Sequence, residues 1–424
     1  MKKALVLAGG GTKGAYQEGV IRALRETGHD DWNLVTGTSV GALNAVFIVQ
    51  KDYAALRRLY EKMQADWFIK GYVPTDMHIG SILKDREEIF PTLMSYLKDR
   101  GVDITPFYGM VHDTYDPKKF FESDIDFGCI AAKHISHEPV YVTKEMMKEH
   151  GEDWLVATAS AYPAFTVKVI DGQEYVDGGY FDNLPIDYAL RKGAEEILAI
   201  DLNHNPQHPQ YYGRSYVRYI YPHEELYNFL DFDHEKMRHA HVIGYNDGYK
   251  AYGYYEGERY TFEPQALPVF FARWFREMAM LETRIKLAGR ISGTIRSEEH
   301  ITDILTQRLH RRLVREKEYY YAMADALLEI VGADTERIYR YAEFREIIAN
   351  AFADAMKEDF PLLPQRVSEI AKVPQTLDKQ GIVRRLIHMK VWPEHQLFSE
   401  NTILTVYPFE QACAEFIIDL LKEG

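Results

Sequence analysis

The sequence predicts an α/β protein with a mainly parallel sheet, followed by an all-α C-terminal domain. Apolar strand-like runs alternate with helical patterns through the first 50 residues, the order that builds parallel sheets. Glycines punctuate that alternation at 9–11 and at 37 and 41. Near 263–268 the character changes, and long amphipathic helical patterns fill the rest of the chain.

Taken in order, KALVLA (3–8) reads as a buried strand stopped by Gly9–Gly11, and a helix follows over about 13–26. Residues 33–36 read as a second strand and 41–50 as a second helix. From 53 to 122 the pattern is mainly helical, broken at Pro74, Pro91, Pro106 and Pro117, as in a cap over a sheet. Strands are expected at 125–132 and 138–143, a helix at 154–161, and a strand at 165–170. A turn is expected at 177–179, then a helix at 184–192 and strands at 196–202 and 215–221. A last helix of this domain falls within 230–253. Beyond the boundary, placed at about 260, helices are expected at 268–290, 298–331, 335–358, 378–389 and 408–422. The organisation is therefore an α/β domain over 1–260 and a helical domain over 261–424.

At 424 residues the chain exceeds one typical core. A net charge of −14 and a pI near 5.6 argue against a nucleic-acid partner, which would need a basic face. Two distant cysteines, Cys129 and Cys413, exclude a disulfide framework and a Cys-rich zinc site. They suit a reducing compartment. The basic N-terminus has too short an apolar run for a secretory signal, and no stretch suits a membrane span. These features set the expectation of a cytoplasmic protein.

Three segments could carry chemistry. Ser39 stands between Gly37 and Gly41 at the end of the second strand, the G-x-S-x-G spacing of a nucleophile elbow. Alone, it is equally an ordinary glycine-containing βα turn. GGGTKG (9–14) follows a strand and opens a helix, as a dinucleotide fingerprint does. The second strand lacks the acidic end that such a site needs, and Ala15 stands where a P-loop needs Lys. What remains is a nest of N–H groups able to bind an anion or to serve as an oxyanion hole. Asp177, in VDGGYFDNLP, can accept a hydroxyl proton if burial raises its pKa; alone, it reads more simply as a turn residue. ASAYPAF (159–165) by itself is a helix end before a proline.

Together these elements resemble the patatin-like phospholipases over about residues 3–260. Gly9 to Gly14 meet the family's G-G-G-x-[RK]-G pattern, and residues 37–45 meet G-T-S-x-G-A-L-N-A letter for letter. Asp177, Gly178 and Gly179 meet D-G-[AG], continued by Asn183 and Pro185. The resemblance implies a three-layer α/β/α core and a Ser–Asp dyad without histidine, and no metal or other cofactor. Its nucleophile falls on Ser39 and its proton acceptor on Asp177. Its oxyanion hole falls on the N–H groups of Gly10 and Gly11, with help near Thr12 and Lys13. Lys13 keeps the charge of the family's common Arg without its planar fork.

The expected reaction is hydrolysis of phospholipid or lysophospholipid esters through an acyl-serine. Two other classes stay open at this point, a non-catalytic acyl-binding regulator and a dinucleotide-dependent oxidoreductase. Trp67, Phe68 and Tyr72, and the tyrosines of 211–260, suit either an apolar trough at a membrane surface or ordinary packing. The basic stretch 308–317 could meet anionic lipid, but reads more simply as a solvated face paired with glutamates. Oligomeric state is not legible.

Overall fold

The structure, a computed structural model, describes residues 1–68, 104–264, 268–292, 301–309, 315–360 and 378–422. Tyr72, Pro74, Pro91 and residues 310–314 of the basic stretch lie outside them. The chain forms two compact units, Met1–Tyr252 and Gly253–Gly424.

The first unit is built on one sheet of β1 (Lys3–Leu7), β2 (Leu34–Thr38), β3 (Asp126–Lys133), β4 (Pro139–Thr143), β5 (Lys168–Ile170), β6 (Gln173–Asp177), β7 (Glu196–Ile200) and β8 (Val217–Ile220). The order is β5-β6-β3-β2-β1-β7-β8, with β4 also on β3. The β3-β2-β1-β7-β8 stretch is parallel throughout. Its strands are near-continuous apolar runs, because helices cover both faces; β2 is buried at every position.

β3 organises the site. Residues 126–130 pair with β2, and 131–133 pair antiparallel with β6. Ala131 and Ala132 also pair with β4. A strand has two edges, so β4 takes one and β2 and β6 share the other, end to end. Thr38 sits opposite Ile130, and Asp177 opposite the next residue, Ala131.

The β6 strand departs from the sequence expectation, which leaves 171–176 without an element and puts Asp177 on a turn. Asp171 and Gly172 have φ of 51° and 78°, as in the two-residue turn favoured in tight hairpins. They fold β5 onto β6, and Asp177 becomes the last residue of a strand.

The flanking helices include α1 (Gly14–Glu26), α2 (Val40–Val49), α3 (Tyr53–Lys62), α4 (Thr105–Thr114) and α5 (Pro117–Glu122). They continue with α6 (Met147–Thr158), α7 (Ile186–Arg191) and α8 (His234–Ala251). Helix α6 begins seven residues before the expected start and ends at Thr158, leaving 159–161 as a turn. Helix α2 is buried on every side. α1 and α8 approach until backbones touch: a Cβ on Gly244 would lie 2.2 Å from the Tyr16 carbonyl oxygen. Polar ties seal this contact. Tyr16 donates to Asp247 at 2.6 Å, Lys250 pairs with Asp247 at 2.7 Å, and His241 pairs with buried Glu18.

The second unit is mainly helical, with α9 (Pro268–Ser292), α10 (Ile301–Arg308), α11 (Glu316–Ile330), α12 (Tyr341–Phe352), α13 (Lys379–Val391), α14 (Glu400–Val406) and α15 (Pro408–Lys422). The expected helix 298–331 is thus two described helices, and α14 is additional, started by the Ser399 hydroxyl accepting from Thr402 N–H at 3.2 Å. Two-residue strands, β9 (Thr261–Phe262) and β10 (Ile338–Tyr339), pair in parallel. Trp274 and Phe416 cross edge to face in the core, 4.6 Å between ring centres. Of the basic stretch, the described Arg308, Arg315 and Lys317 pair with Glu329, Glu318 and Glu256, as a solvated helix face would. Among the described residues no helix is long and apolar enough to cross a membrane.

The α1–α8 contact separates two identical substitutions in helices. Gly244→Ala should destabilise by about 1–3 kcal/mol, because the methyl group meets backbone. Gly109→Ala, on α4 with nothing within 4 Å of the new methyl group, should be neutral or stabilise by up to about 1 kcal/mol. Thermal melts of both variants measure the difference in sign.

Candidate active site

Ser39 joins β2 to α2 with φ 55° and ψ −128°, a conformation that costs a non-glycine residue about 1–3 kcal/mol. The flanking residues show what holds it there. A Cβ on Gly37 would lie 2.4 Å from the Gly41 carbonyl carbon, and one on Gly41 would lie 2.3 Å from Leu7 O. Only hydrogens fit at both places. The turn is also fastened by side chains. Ser39 N–H donates to Thr158 Oγ1 at 3.1 Å, and Thr158 donates to Ile130 O at 2.5 Å. Thr38 Oγ1 donates to Asp182 O at 2.9 Å. The N-terminus of α2, with its positive dipole end, begins at the serine.

Asp177 is buried, 7% exposed. Its N–H donates to Ser160 O at 2.9 Å, and its Oδ1 accepts from Gly179 N–H at 2.7 Å. Burial pushes the carboxyl pKa up to about 6, while hydrogen bonds from the Ser39 hydroxyl and Gly179 N–H pull it the other way. Ser39 and Asp177 are thereby set at the facing ends of β2 and β6 along one edge of β3. Gly178 lets that junction close: a Cβ there would lie 2.0 Å from Ile130 O. Ser160 is a structural residue, its hydroxyl donating to Val156 O at 2.8 Å.

The glycine loop lies against the serine, since a Cβ on Gly9 would come within 3.0 Å of Ser39 Cβ. Gly9 N–H donates to Asn183 O at 3.0 Å. Among the described residues, the N–H groups of Gly10 and Gly11 have no acceptor. Thr12 and Lys13 differ from the expectation of nearby help. Thr12 N–H donates to Phe229 O at 2.8 Å, and Lys13 N–H to Gly10 O at 3.2 Å. Their N–H groups are engaged, because the loop turns there into a 3-10 helix, Gly11–Lys13, that leads into α1 at Gly14. Burial lowers the pKa of the Lys13 ammonium, against the opposing pull of Glu225 and Asp201.

Beside Ser39 opens a cleft of about 560 Å³, counted with its open mouth. Leu43, Phe68, Phe107, Met110, Phe165 and Phe232 are among its lining side chains, and none of the described lining residues is a histidine. Phe68 thus belongs to a trough, while Tyr212, Tyr219 and Tyr221 pack on one another. One wall is an irregular strap around Phe229, tied to the glycine loop by the Thr12 bond and by Tyr227, which donates to Thr12 O at 2.8 Å. The sequence reading does not single out Thr158, Gln207, Asp201 or the Phe229 strap as parts of the site, and it treats Asn183 only as motif. No short-range spacing marks them, since each reaches its partner only through the fold.

The model of the family described as Patatin-like phospholipase matches residues 5–190. These residues form a patatin-like phospholipase domain. The match ends well short of the expected limit near 260. Among known proteins, the chain is similar to the mouse patatin-like phospholipase domain-containing protein 7, 27% identical over 206 residues. That stretch is 47% of this chain but 13% of the mouse protein. Lysophospholipase nte1 of Aspergillus terreus is 27% identical over 50% of this chain and 12% of its own length. The cUMP-AMP-activated phospholipase of Escherichia coli is 24% identical over 48% of this chain and 61% of its own. The matched stretch thus spans only about an eighth of the mouse and fungal relatives.

The buried carboxyl of this patatin-like domain has a consequence for stability. Asp177 is favoured in its neutral form by the fold, so its contribution is fully present below the ordinary carboxyl value of 3.8 and is lost as pH rises through about 6. The loss amounts to about 3 kcal/mol. Asp177→Asn should therefore melt higher than the native chain at pH 8 and nearly the same at pH 4, measured by calorimetry at both values.

Proposed function

We propose that this chain is a serine acyl hydrolase that cleaves ester bonds of phospholipids or lysophospholipids with Ser39 and Asp177 as a catalytic dyad. The observation that carries the reading is the placement of Ser39, at the end of β2, beside the buried Asp177 carboxyl, at the end of β6, whose pKa burial lifts to about 6. A base poised near neutrality is what proton removal from a serine requires. The similarity to lysophospholipase nte1 and the E. coli phospholipase points to the same substrate class.

On this reading Asp177 takes the Ser39 proton as Oγ attacks the ester carbonyl. The carbonyl oxygen gains the negative charge and accepts hydrogen bonds from Gly10 and Gly11 N–H. The tetrahedral adduct collapses, the C–O bond to the alcohol breaks, and Asp177 returns the proton to the departing oxygen. Water, deprotonated by Asp177, then attacks the acyl-serine; the acyl C–Oγ bond breaks, Asp177 returns the proton to Ser39 Oγ, and the fatty acid is released. The apolar cleft holds the acyl chain. All of these residues lie in the first compact unit, to which we assign catalysis.

Transient contact with a lipid surface belongs to the proposal, because the substrate must leave one to reach Ser39. So does a cytoplasmic location, which fits the free, buried Cys129 and Cys413.

Ser39→Ala and Asp177→Asn should each reduce fatty-acid release from a short-chain ester by about 10³-fold or more, with folding checked by circular dichroism. Full activity in either variant overturns the dyad. In the native enzyme kcat/KM should rise with pH through about 6 and level off above, since only ionised Asp177 accepts the proton. Filling the cleft with Met110→Trp should raise KM for a long-chain ester by about tenfold and leave an acetate ester little changed.

A further inference from the structure

We infer that Asn183 is a positioning residue for the oxyanion hole, its amide orientation fixed from a distance by the buried carboxylate of Asp201 through Gln207. The inference rests on the acyl-hydrolase reading and adds residues that the reading itself does not require.

Asn183 Nδ2 donates to Gly9 O at 3.0 Å and lies 3.1 Å from Gln207 Oε1. The Gly9 carbonyl and the Gly10 N–H are two ends of one peptide group. A donor on the oxygen fixes the plane of that peptide, and with it the direction in which Gly10 N–H points. It also polarises the amide, which makes the N–H a stronger donor. The Asn183 backbone oxygen holds the preceding peptide through Gly9 N–H at 3.0 Å. On the other side of the loop, Gln17 Nε2 donates to Ala8 O at 2.8 Å, so both peptides that flank Gly9 are held.

An asparagine amide can face either way, and here the far end of the chain decides. Asp201 is fully buried. Its Oδ1 accepts Leu202 N–H at 2.7 Å and Asn203 N–H at 3.0 Å, and its Oδ2 accepts Gln207 N–H at 2.9 Å. Tyr219 donates its hydroxyl to the same Oδ2 at 2.5 Å. Backbone N–H groups only donate, so Asp201 presents acceptors to the network. Gln207 must turn its Nε2 towards Oδ1, which it does at 2.6 Å. That turns Gln207 Oε1 towards Asn183, which must answer with Nδ2 and so delivers a donor to Gly9 O.

The same short segment also touches the other two parts of the site. Asp182 O accepts from Thr38 Oγ1, next to the nucleophile. Asn183 Oδ1 lies where Cβ atoms on Gly9 and Gly179 would come within 2.4 and 3.0 Å. Asn183 thus fills the space between the glycine loop and the turn that follows Asp177, and leaves room there for glycine only.

Asn183→Asp keeps the shape and removes the donor. Its ester hydrolysis is compared with that of the native chain and of Ser39→Ala, with Gln207→Leu as a second variant that cuts the chain one step further away. The expected result for Asn183→Asp is a fall in kcat of about 10- to 100-fold, with KM within about twofold. Inhibition by a trifluoromethyl ketone, which forms an oxyanion on the serine, should weaken by the same factor as kcat/KM. Gln207→Leu should show the same pattern at about 3- to 10-fold, and it carries the test if Asn183→Asp does not fold. A kcat within about threefold of native in a folded Asn183→Asp overturns the proposal. So does a rise in KM alone, a moved pH midpoint in the uncharged Gln207→Leu, or ketone affinity that stays native while kcat falls. Full activity in Ser39→Ala would instead remove the acyl-hydrolase reading beneath it.

Discussion

One edge of β3 is shared end to end by β2 and β6, and the C-terminal ends of the two sharing strands face each other there. Residues separated by more than a hundred positions in the chain are thereby set in adjacent registers of a single ladder. Backbone hydrogen bonds to one rigid strand fix the distance between Ser39 and Asp177, so the placement does not rest on long side chains. The remaining parts of the site are arranged around that junction. Thr158, at the end of α6, ties the serine N–H to Ile130 on the same strand, and Ser160, two residues on, holds the N–H of Asp177.

Two unfavourable terms meet at this point. Ser39 is strained, and Asp177 is buried where its charge is poorly solvated. Together they amount to several kcal/mol, a large part of what a domain usually has in reserve. The surroundings over-determine both. The buried strands and the wholly buried α2 supply apolar stabilisation, and the flanking glycines admit no other packing of the turn. A site of this kind trades stability for a carboxyl that titrates near neutral pH.

Much of this was legible in the sequence, for physical reasons that can be named. Strand β1, helix α1 and the serine turn follow from short-range patterns, because each element's periodicity and its glycine stops are local. The glycine loop, Ser39 and Asp177 were readable as motifs and are found around one small volume. The β6 strand, QEYVD, is short and largely polar, so only the Asp171–Gly172 hairpin signal marks it. The engagement of the Thr12 and Lys13 N–H groups was not readable. It depends on the Phe229 carbonyl, some 217 positions away, and on a 3-10 turn set by packing. The Asp201–Gln207–Asn183 chain was equally hidden, because amide orientation is decided by partners and not by spacing.

The backbone contact between α1 and α8 bears on where this fold ends. Helix α8 lies some forty residues beyond the family match, yet it covers the face of α1 that carries Tyr16, Glu18 and Gly19. The first helix after the glycine loop is therefore closed by the last helix of the unit, like a clasp that joins the two ends of a belt. A chain trimmed at residue 190 would retain the whole Ser–Asp pair and lose the surface against which its glycine loop is braced.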